Sequence, residues 1–139
     1  MLSIVIPARN ELFLRKTIED VLAKAAGEIE VFPVLDGYEV PADEKVTDPR
    51  VHYIQLEPAK YTQKRQAINL VAGLAGGEYL MSLDAHCMMA PGFDPDAIEF
   101  RASKPIIQAV AVLGGSHYSY FRYETHLAQL QALTVYDQV

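Results

Sequence analysis

The sequence predicts an α/β fold, a mainly parallel sheet flanked by helices. Two observations carry that prediction: strand-like apolar runs alternate with segments of helical period, and three of the strands run straight into a polar loop. The first run, Leu2-Ser3-Ile4-Val5-Ile6, is closed by Pro7 and has the pattern of a strand buried on both faces. Asn10 then stands where it can cap a helix whose apolar positions Leu14, Ile18, Val21, Leu22 and Ala25 recur with helical spacing, and Gly27 offers a left-handed stop.

The strand-loop-helix unit repeats. Residues 30–35 read as a second strand ending at Asp36-Gly37, and residues 51–56 as a third. Pro33 has no amide hydrogen for a ladder, so the second strand is expected to be bulged or unpaired on one side. Residues 62–75 read as a helix with Ala67, Ile68, Val71 and Leu74 on one face; Gly76-Gly77 ends it, and residues 79–83 form a strand running into Asp84. After Pro91 the pattern predicts a short helix over 94–102, a strand over 106–113, an aromatic stretch, and a helix over 125–136. The chain contains no internal repeat, low-complexity segment or linker.

Composition bounds the function. A chain of 139 residues, 50% apolar and 22% charged, is expected to be one globular domain with a core of its own. A net charge of -6 and the lack of any Lys/Arg run argue against a nucleic-acid partner, whose phosphates require clustered positive charge. The apolar stretch over 106–113 is far short of the roughly 20 residues that cross a bilayer, and because strand-like sequence begins at Leu2 no signal peptide is expected. Cys87 is the single cysteine, so no internal disulfide is possible; a reducing, cytoplasmic setting is the expectation.

In open parallel sheets, ligands bind at the carboxyl edge, where loops converge and helix N-termini direct amides at anions. Here that edge collects Pro7-Ala8-Arg9-Asn10-Glu11, Asp36-Gly37 and Asp84-Ala85-His86. Residues two apart at a strand end can turn toward one ion. A carboxylate with an imidazole, completed by diphosphate oxygens and water, favours manganese or a similar cation over calcium. The bland alternative is that Asp84 caps a turn and His86 faces solvent, and Asp36-Gly37 is equally ordinary turn chemistry. Lys64 and Arg65 either meet phosphate or decorate an exposed helix face.

Taken in order, these segments resemble the GT-A glycosyltransferases, specifically family two. The segment Ser3-Ile4-Val5-Ile6-Pro7-Ala8-Arg9-Asn10-Glu11 is similar to that family's opening strand and "IPxxNE" loop, and Asp36 to its base-binding aspartate. Ala67-Ile68-Asn69 resembles the "ALNxG" helix, and residues 77–85 resemble "GeYilfLDAD". Where family two usually has Asp-x-Asp, this chain has Asp84-Ala85-His86-Cys87, similar to the "LDAHC" of the polypeptide N-acetylgalactosaminyltransferases.

The resemblance covers roughly residues 2–95 and implies a GT-A, Rossmann-like nucleotide-diphospho-sugar transferase fold with a shortened C-terminal half. Residues 1–95 would then be the nucleotide-sugar-binding part and 96–139 the acceptor-side part of one domain. It further implies a donor pocket of Pro7, Ala8, Arg9, Glu11, Asp36, Lys64, Asp84 and Ala85, with Mn2+ or Mg2+ held by Asp84 and His86. The implied activity is transfer of a sugar from a nucleoside diphosphate, UDP foremost, to an unidentified acceptor.

This chain departs from the family pattern in three ways: Val71 replaces the usual helix glycine, Pro33 interrupts a strand, and the acceptor-binding half is missing or much shortened. Beyond Gly115 the acidic residues are Glu124 and Asp137 and the histidines are His117 and His126, and none identifies itself as a catalytic base. The aromatic run over 117–123 suits either stacking on sugar rings or a strand with a partner-facing surface. An edge left open there invites self-association or a partner chain. Two rival readings stand beside transfer: a truncated or degenerate domain that binds nucleotide or serves assembly without catalysis, and a nucleotidyltransferase with the same metal-and-nucleotide geometry.

Overall fold

The computed structural model describes residues 1–94, 109–113 and 116–122. In chain order the elements are β1 (Leu2–Ala8), α1 (Leu14–Lys24), β2 (Ile29–Asp36), β3 (Ile54–Leu56), α2 (Lys64–Leu74), β4 (Tyr79–Leu83), β5 (Ala109–Leu113) and β6 (Ser116–Arg122). They form one six-stranded sheet in the order β3-β2-β1-β4-β6-β5. β1, β2, β3 and β4 are mutually parallel, whereas β6 is antiparallel to both β4 and β5. The predicted α/β class and mainly parallel sheet are therefore present. Among the described residues, no helix is long and apolar enough to cross a membrane.

β1 is the centre of the sheet because its side chains are apolar on both faces. Leu2, Ile4, Ile6 and Ala8 pack with Leu14, Ile18 and Val21 of α1, while Val5 packs with Ala67, Ile68 and Val71 of α2. Ile4, Val5, Ile6, Ile18, Ile68 and Val71 are all fully buried. Burying one such side chain contributes about 1.5–3 kcal/mol, so the α1-sheet-α2 sandwich rests on this alternation. Val71, the departure from the family's helix glycine, fills part of the α2 layer against the sheet.

Pro33 is accommodated without a bulge. Its register with β1 is unbroken, Ile6 opposite Pro33 and Pro7 opposite Val34. The Val31 amide and carbonyl both point to the other neighbour, bonding Arg50 O and His52 N, so Pro33, two residues on, faces the same way. There the third strand is broken: Val51 makes an isolated bridge, and regular pairing resumes only at Ile54. The expected strand over 51–56 is thus shortened to β3, and the missing amide falls beside the gap.

Three helix-end expectations are corrected. Asn10 does not cap α1; it lies in the left-handed region at φ 55°, which asparagine tolerates, and turns the chain three residues before the helix begins after Phe13. Gly27 is not a left-handed stop. α1 ends at Ala25 in an extended conformation, and the Ala26 and Gly27 amides donate to the buried Asp94 carboxylate at 2.7 and 2.6 Å. A Cβ at Gly27 would lie 2.9 Å from that carboxylate, which is why glycine stands there. Leu74 is 59% exposed, because Ala72 and Ala75 make the last-turn contacts of α2 instead.

Residues 95–102 of the expected helix over 94–102, the whole of the expected helix over 125–136, and residues 106–108 of the expected strand lie outside the described residues. Within them, 109–113 is a strand, and residues 117–122 of the aromatic run lie in β6, interior to the sheet between β4 and β5.

Candidate functional site

The chain runs outward from β1 to β2 and β3, then returns to place β4 on the other side of β1. That reversal parts the loops after β1 and β4 and opens a crevice at their carboxyl ends, the place where open α/β sheets take ligands. A cleft of about 270 Å3 lies at this edge, lined by Pro7, Ala8, Arg9, Glu11, Asp36, Thr62, Lys64 and Asp84. The loops after β1, β2 and β4 and the start of α2 all contribute. Thr62 and Lys64 also line an open groove of about 760 Å3 with Lys60, Tyr61, Gln63, Arg65 and Asn69, so the cleft continues along the start of α2.

Asp36 closes β2 and is only 5% exposed. Its Oδ1 accepts from Gln63 Nε2 at 2.8 Å and its Oδ2 from the Gln63 backbone amide at 2.9 Å; Arg9 lies 3.8 Å from Oδ2. A buried carboxylate needs such partners to offset lost hydration. Gly37, at φ 73°, turns the chain directly after it, with its amide directed to Leu35 O and Leu56 O. Arg9 is itself anchored, donating to Ala59 O at 2.9 Å.

Asp84 follows β4 and pairs with Lys64 Nζ at 2.8 Å, both side chains nearly two-fifths exposed. At that exposure the pair contributes only about 0.2–1 kcal/mol to folding, so a ligand can displace it at small cost. Glu11 stands between the two strand-end aspartates and His86: its Oε2 is 3.6 Å from His86 Nδ1. His86 is exposed and does not line the cleft; it lies on the rim of a neighbouring cavity of about 440 Å3 with Phe13, Lys16, Thr17, Asp20, Cys87 and Met88. Ala85, also expected in the donor pocket, is buried at 1% and faces the α1 core.

What holds the Asp84 loop is α1. The Thr17 hydroxyl, buried on the apolar face of that helix, donates to Ala85 O at 2.9 Å and accepts from Cys87 N at 3.1 Å. Asp20 accepts from Met89 N at 2.6 Å and is paired with Lys24 at 2.7 Å. Neither Thr17, Asp20 nor Gln63 was among the residues expected at the site. A polar residue on the buried stripe Leu14, Ile18, Val21 was the one available signal, and it pointed only to Thr17.

The electrostatics limit what the cleft can take. Arg9 and Lys64 stand against Glu11, Asp36 and Asp84, two cations to three carboxylates, and both cations already contact a carboxylate. Lys60 and Arg65 line the adjoining groove, so a diphosphate entering here can meet positive charge from them as well as from a bound cation. Among the described residues, no group of three or more His, Cys, Asp or Glu side chains is gathered to hold a metal. Asp84 and His86 offer one oxygen-bearing and one nitrogen-bearing donor, a set suited to a cation whose remaining ligands come from the diphosphate and water.

At this edge, burial pushes the Tyr38 phenol above its usual range.

Solved structures share the architecture. A mannosyltransferase from Pyrobaculum calidifontis, in complex with GDP-Man and Mn2+, matches at a TM-score of 0.62 and 18% identity over 81% of this chain and 35% of that one. TarS of S. aureus matches at 0.56 and 18% identity over 80% of this chain and 21% of that one. A CMP:2-keto-3-deoxy-manno-octonic acid synthetase complexed with CTP matches at 0.56 and 13% identity, over 99% of this chain and 77% of that one. At these identities the likeness is one of fold. The chain spans about one-third of the mannosyltransferase and about one-fifth of TarS. No curated protein matches the sequence. The family model for glycosyl transferase family 2 matches residues 3–134, nearly the whole chain, and the protein belongs to that family.

Proposed function

We propose that this chain carries the donor-binding part of a metal-dependent glycosyltransferase that transfers a sugar from a nucleoside diphosphate, with UDP as the nucleotide, to an unidentified acceptor. The observation that carries the reading is the meeting of Asp36, the Pro7–Glu11 loop, Lys64 and Asp84 around one cleft at the sheet's switch point. In this reading Asp36 accepts from the base, the backbone of Pro7 and Ala8 lies along the nucleoside, and Arg9 and Lys64 approach the diphosphate. Glu11 and Ala85 complete the pocket, Glu11 by orienting the His86 imidazole and Ala85 by setting the loop between the two metal ligands.

Asp84 and His86 would hold Mn2+ or Mg2+ with the diphosphate oxygens. The cation would supply Lewis-acid stabilisation of the charge on the departing diphosphate. The excess of carboxylates over cations in the cleft supports this role, as does the Mn2+ bound with GDP-Man in the mannosyltransferase of like fold. Transfer joins an acceptor hydroxyl to the anomeric carbon as the bond to the diphosphate breaks, and the residues named here act by holding the donor and stabilising the leaving group. Residues 1–95 form the donor side and 96–139 the acceptor side of this proposal.

The alternative is a truncated or degenerate domain that binds the nucleotide or serves assembly without turnover. Incubating the protein with Mn2+ and a panel of radiolabelled UDP-sugars, and following release of free sugar or transfer to oligosaccharide acceptors, separates the two. Release or transfer supports the enzyme. UDP binding without either supports the nucleotide-binding domain, and neither binding nor turnover leaves only the assembly role. In a parallel incubation with a nucleoside triphosphate and a free sugar, formation of a nucleotide-sugar with release of pyrophosphate would instead assign nucleotidyl transfer.

A further inference from the structure

The open groove along the start of α2 has a charge opposite to that of the chain. The sequence carries 18 acidic residues to 12 Lys and Arg. The groove, about 760 Å3, is lined by Lys60, Lys64 and Arg65 and, among the described residues, by no Asp or Glu. A concave surface of one sign concentrates ions of the other.

Folding alone does not call for this arrangement. Lys64 and Arg65 open α2, whose first turn holds no acidic side chain and whose N-cap makes no side-chain bond to the helix. The amides of that turn favour negative charge, so two cations there cost stability instead of adding it. Lys64 is engaged by Asp84 in the donor cleft. Lys60 and Arg65 do not line that cleft; both are exposed and line the groove.

The other lining groups narrow the ligand class. Tyr61 is 72% exposed, and Lys60 Nζ lies 5.2 Å from the centroid of its ring. An exposed ring suits the C–H face of a sugar, and the exposed amides of Gln66 and Asn69 suit its hydroxyls. The guanidinium and ammonium suit a carboxylate or phosphate on that sugar. Thr62 and Lys64 line both the groove and the donor cleft, so a ligand in one is adjacent to a ligand in the other.

We propose that this groove is a second ligand subsite, which takes an acidic saccharide through Lys60 and Arg65. The acidic group belongs to the donor sugar or to the acceptor. Its place beside the nucleotide rests on the reading of the cleft given above.

The test is calorimetric titration of two matched pairs into the wild type with Mn2+ at low ionic strength. UDP-glucuronate against UDP-glucose probes the donor, and trigalacturonate against its methyl ester, with and without UDP, probes the acceptor. In at least one pair the acidic member is expected to bind about fivefold more tightly, the scale of two exposed charge contacts. That advantage is expected to vanish in about 0.5 M salt. A preference in the donor pair assigns the acid to the donor sugar, and one in the acceptor pair assigns it to the acceptor. The double variant Lys60→Gln, Arg65→Gln alters exposed positions only and is expected to abolish the preference. Equal affinities within both pairs, or a preference that survives in the double variant, would overturn the proposal while leaving the donor cleft as read. If UDP itself fails to bind, the donor reading falls, and the acceptor pair titrated without nucleotide decides the groove alone.

Discussion

Thr17→Val is the sharpest probe of how the fold builds the site. Valine matches threonine in shape, so the α1 packing is preserved and only the hydroxyl is lost. That hydroxyl accepts from Cys87 N and donates to Ala85 O across 70 and 68 residues of sequence, and Thr17 is 1% exposed. Removing it strands an amide and a carbonyl in the interior. Each unsatisfied group costs about 1–3 kcal/mol, which puts the loss near 2–4 kcal/mol when the loop relaxes in part. Against a typical stability of about 5–15 kcal/mol that is a large fraction, and it lowers Tm on the order of 10 °C. Thr17→Ser keeps the hydroxyl and is expected to lose about 1 kcal/mol, through its missing methyl alone. Urea denaturation of the three proteins measures both differences. Because the loop carries Asp84 and His86, the valine variant is also expected to bind Mn2+ more weakly than the serine variant. A loss below about 0.5 kcal/mol for valine, no greater than for serine, would refute the claim that Thr17 tethers the loop.

Two further outcomes follow from the structure. Gly77→Ala is expected to destabilise by at least about 1–3 kcal/mol in denaturant titration, because a Cβ would lie 2.8 Å from Met1 O and 3.0 Å from Ser3 N, backbone atoms that cannot step aside. It would also break the amide's bond to Ser3 Oγ. The Asp48 carboxyl, held by hydrogen bonds from Arg50, is lowered to about 2 from 3.8. Its folded value lies below the unfolded one, so its contribution is present above pH 3.8 and is lost as pH falls through about 2. A carboxyl carbon NMR titration is expected to show that low midpoint in the wild type and a return toward 3.8 in Arg50→Ala.

The sheet was legible because its signal is local. The apolar run of β1 and the runs into Asp36 and Asp84 depend on residues within a few positions of one another, and those strands lie where the pattern places them. So do the buried faces of α1 and α2, with the exception of Leu74. Helix ends were not legible from composition. Asn10 is a good capping residue and Gly27 a good stop, but Asn10 is used for a left-handed turn, and Gly27 is kept small by a carboxylate 67 residues away.

The same distinction holds at the cleft. Pro7, Ala8, Arg9, Glu11, Asp36, Lys64 and Asp84 could be named from ordered motifs, and they do meet around one cavity. Thr17 and Gln63 each act through a pair of tertiary hydrogen bonds, to the loop after β4 and to Asp36 at the end of β2, which no spacing in the sequence records. Ala85 shows the reverse: it shares a motif with two polar neighbours, but alternation at the strand end sends it into the core.

The central claim is that Asp84 and His86 share a cation with a diphosphate at the rim of the sheet. Isothermal titration of UDP into the wild type, with and without Mn2+, and of Mn2+ with and without UDP, tests it most directly. The account predicts reciprocal tightening of about tenfold or more in each direction, lost in His86→Ala. UDP affinity that is the same with and without Mn2+ in the wild type would contradict it.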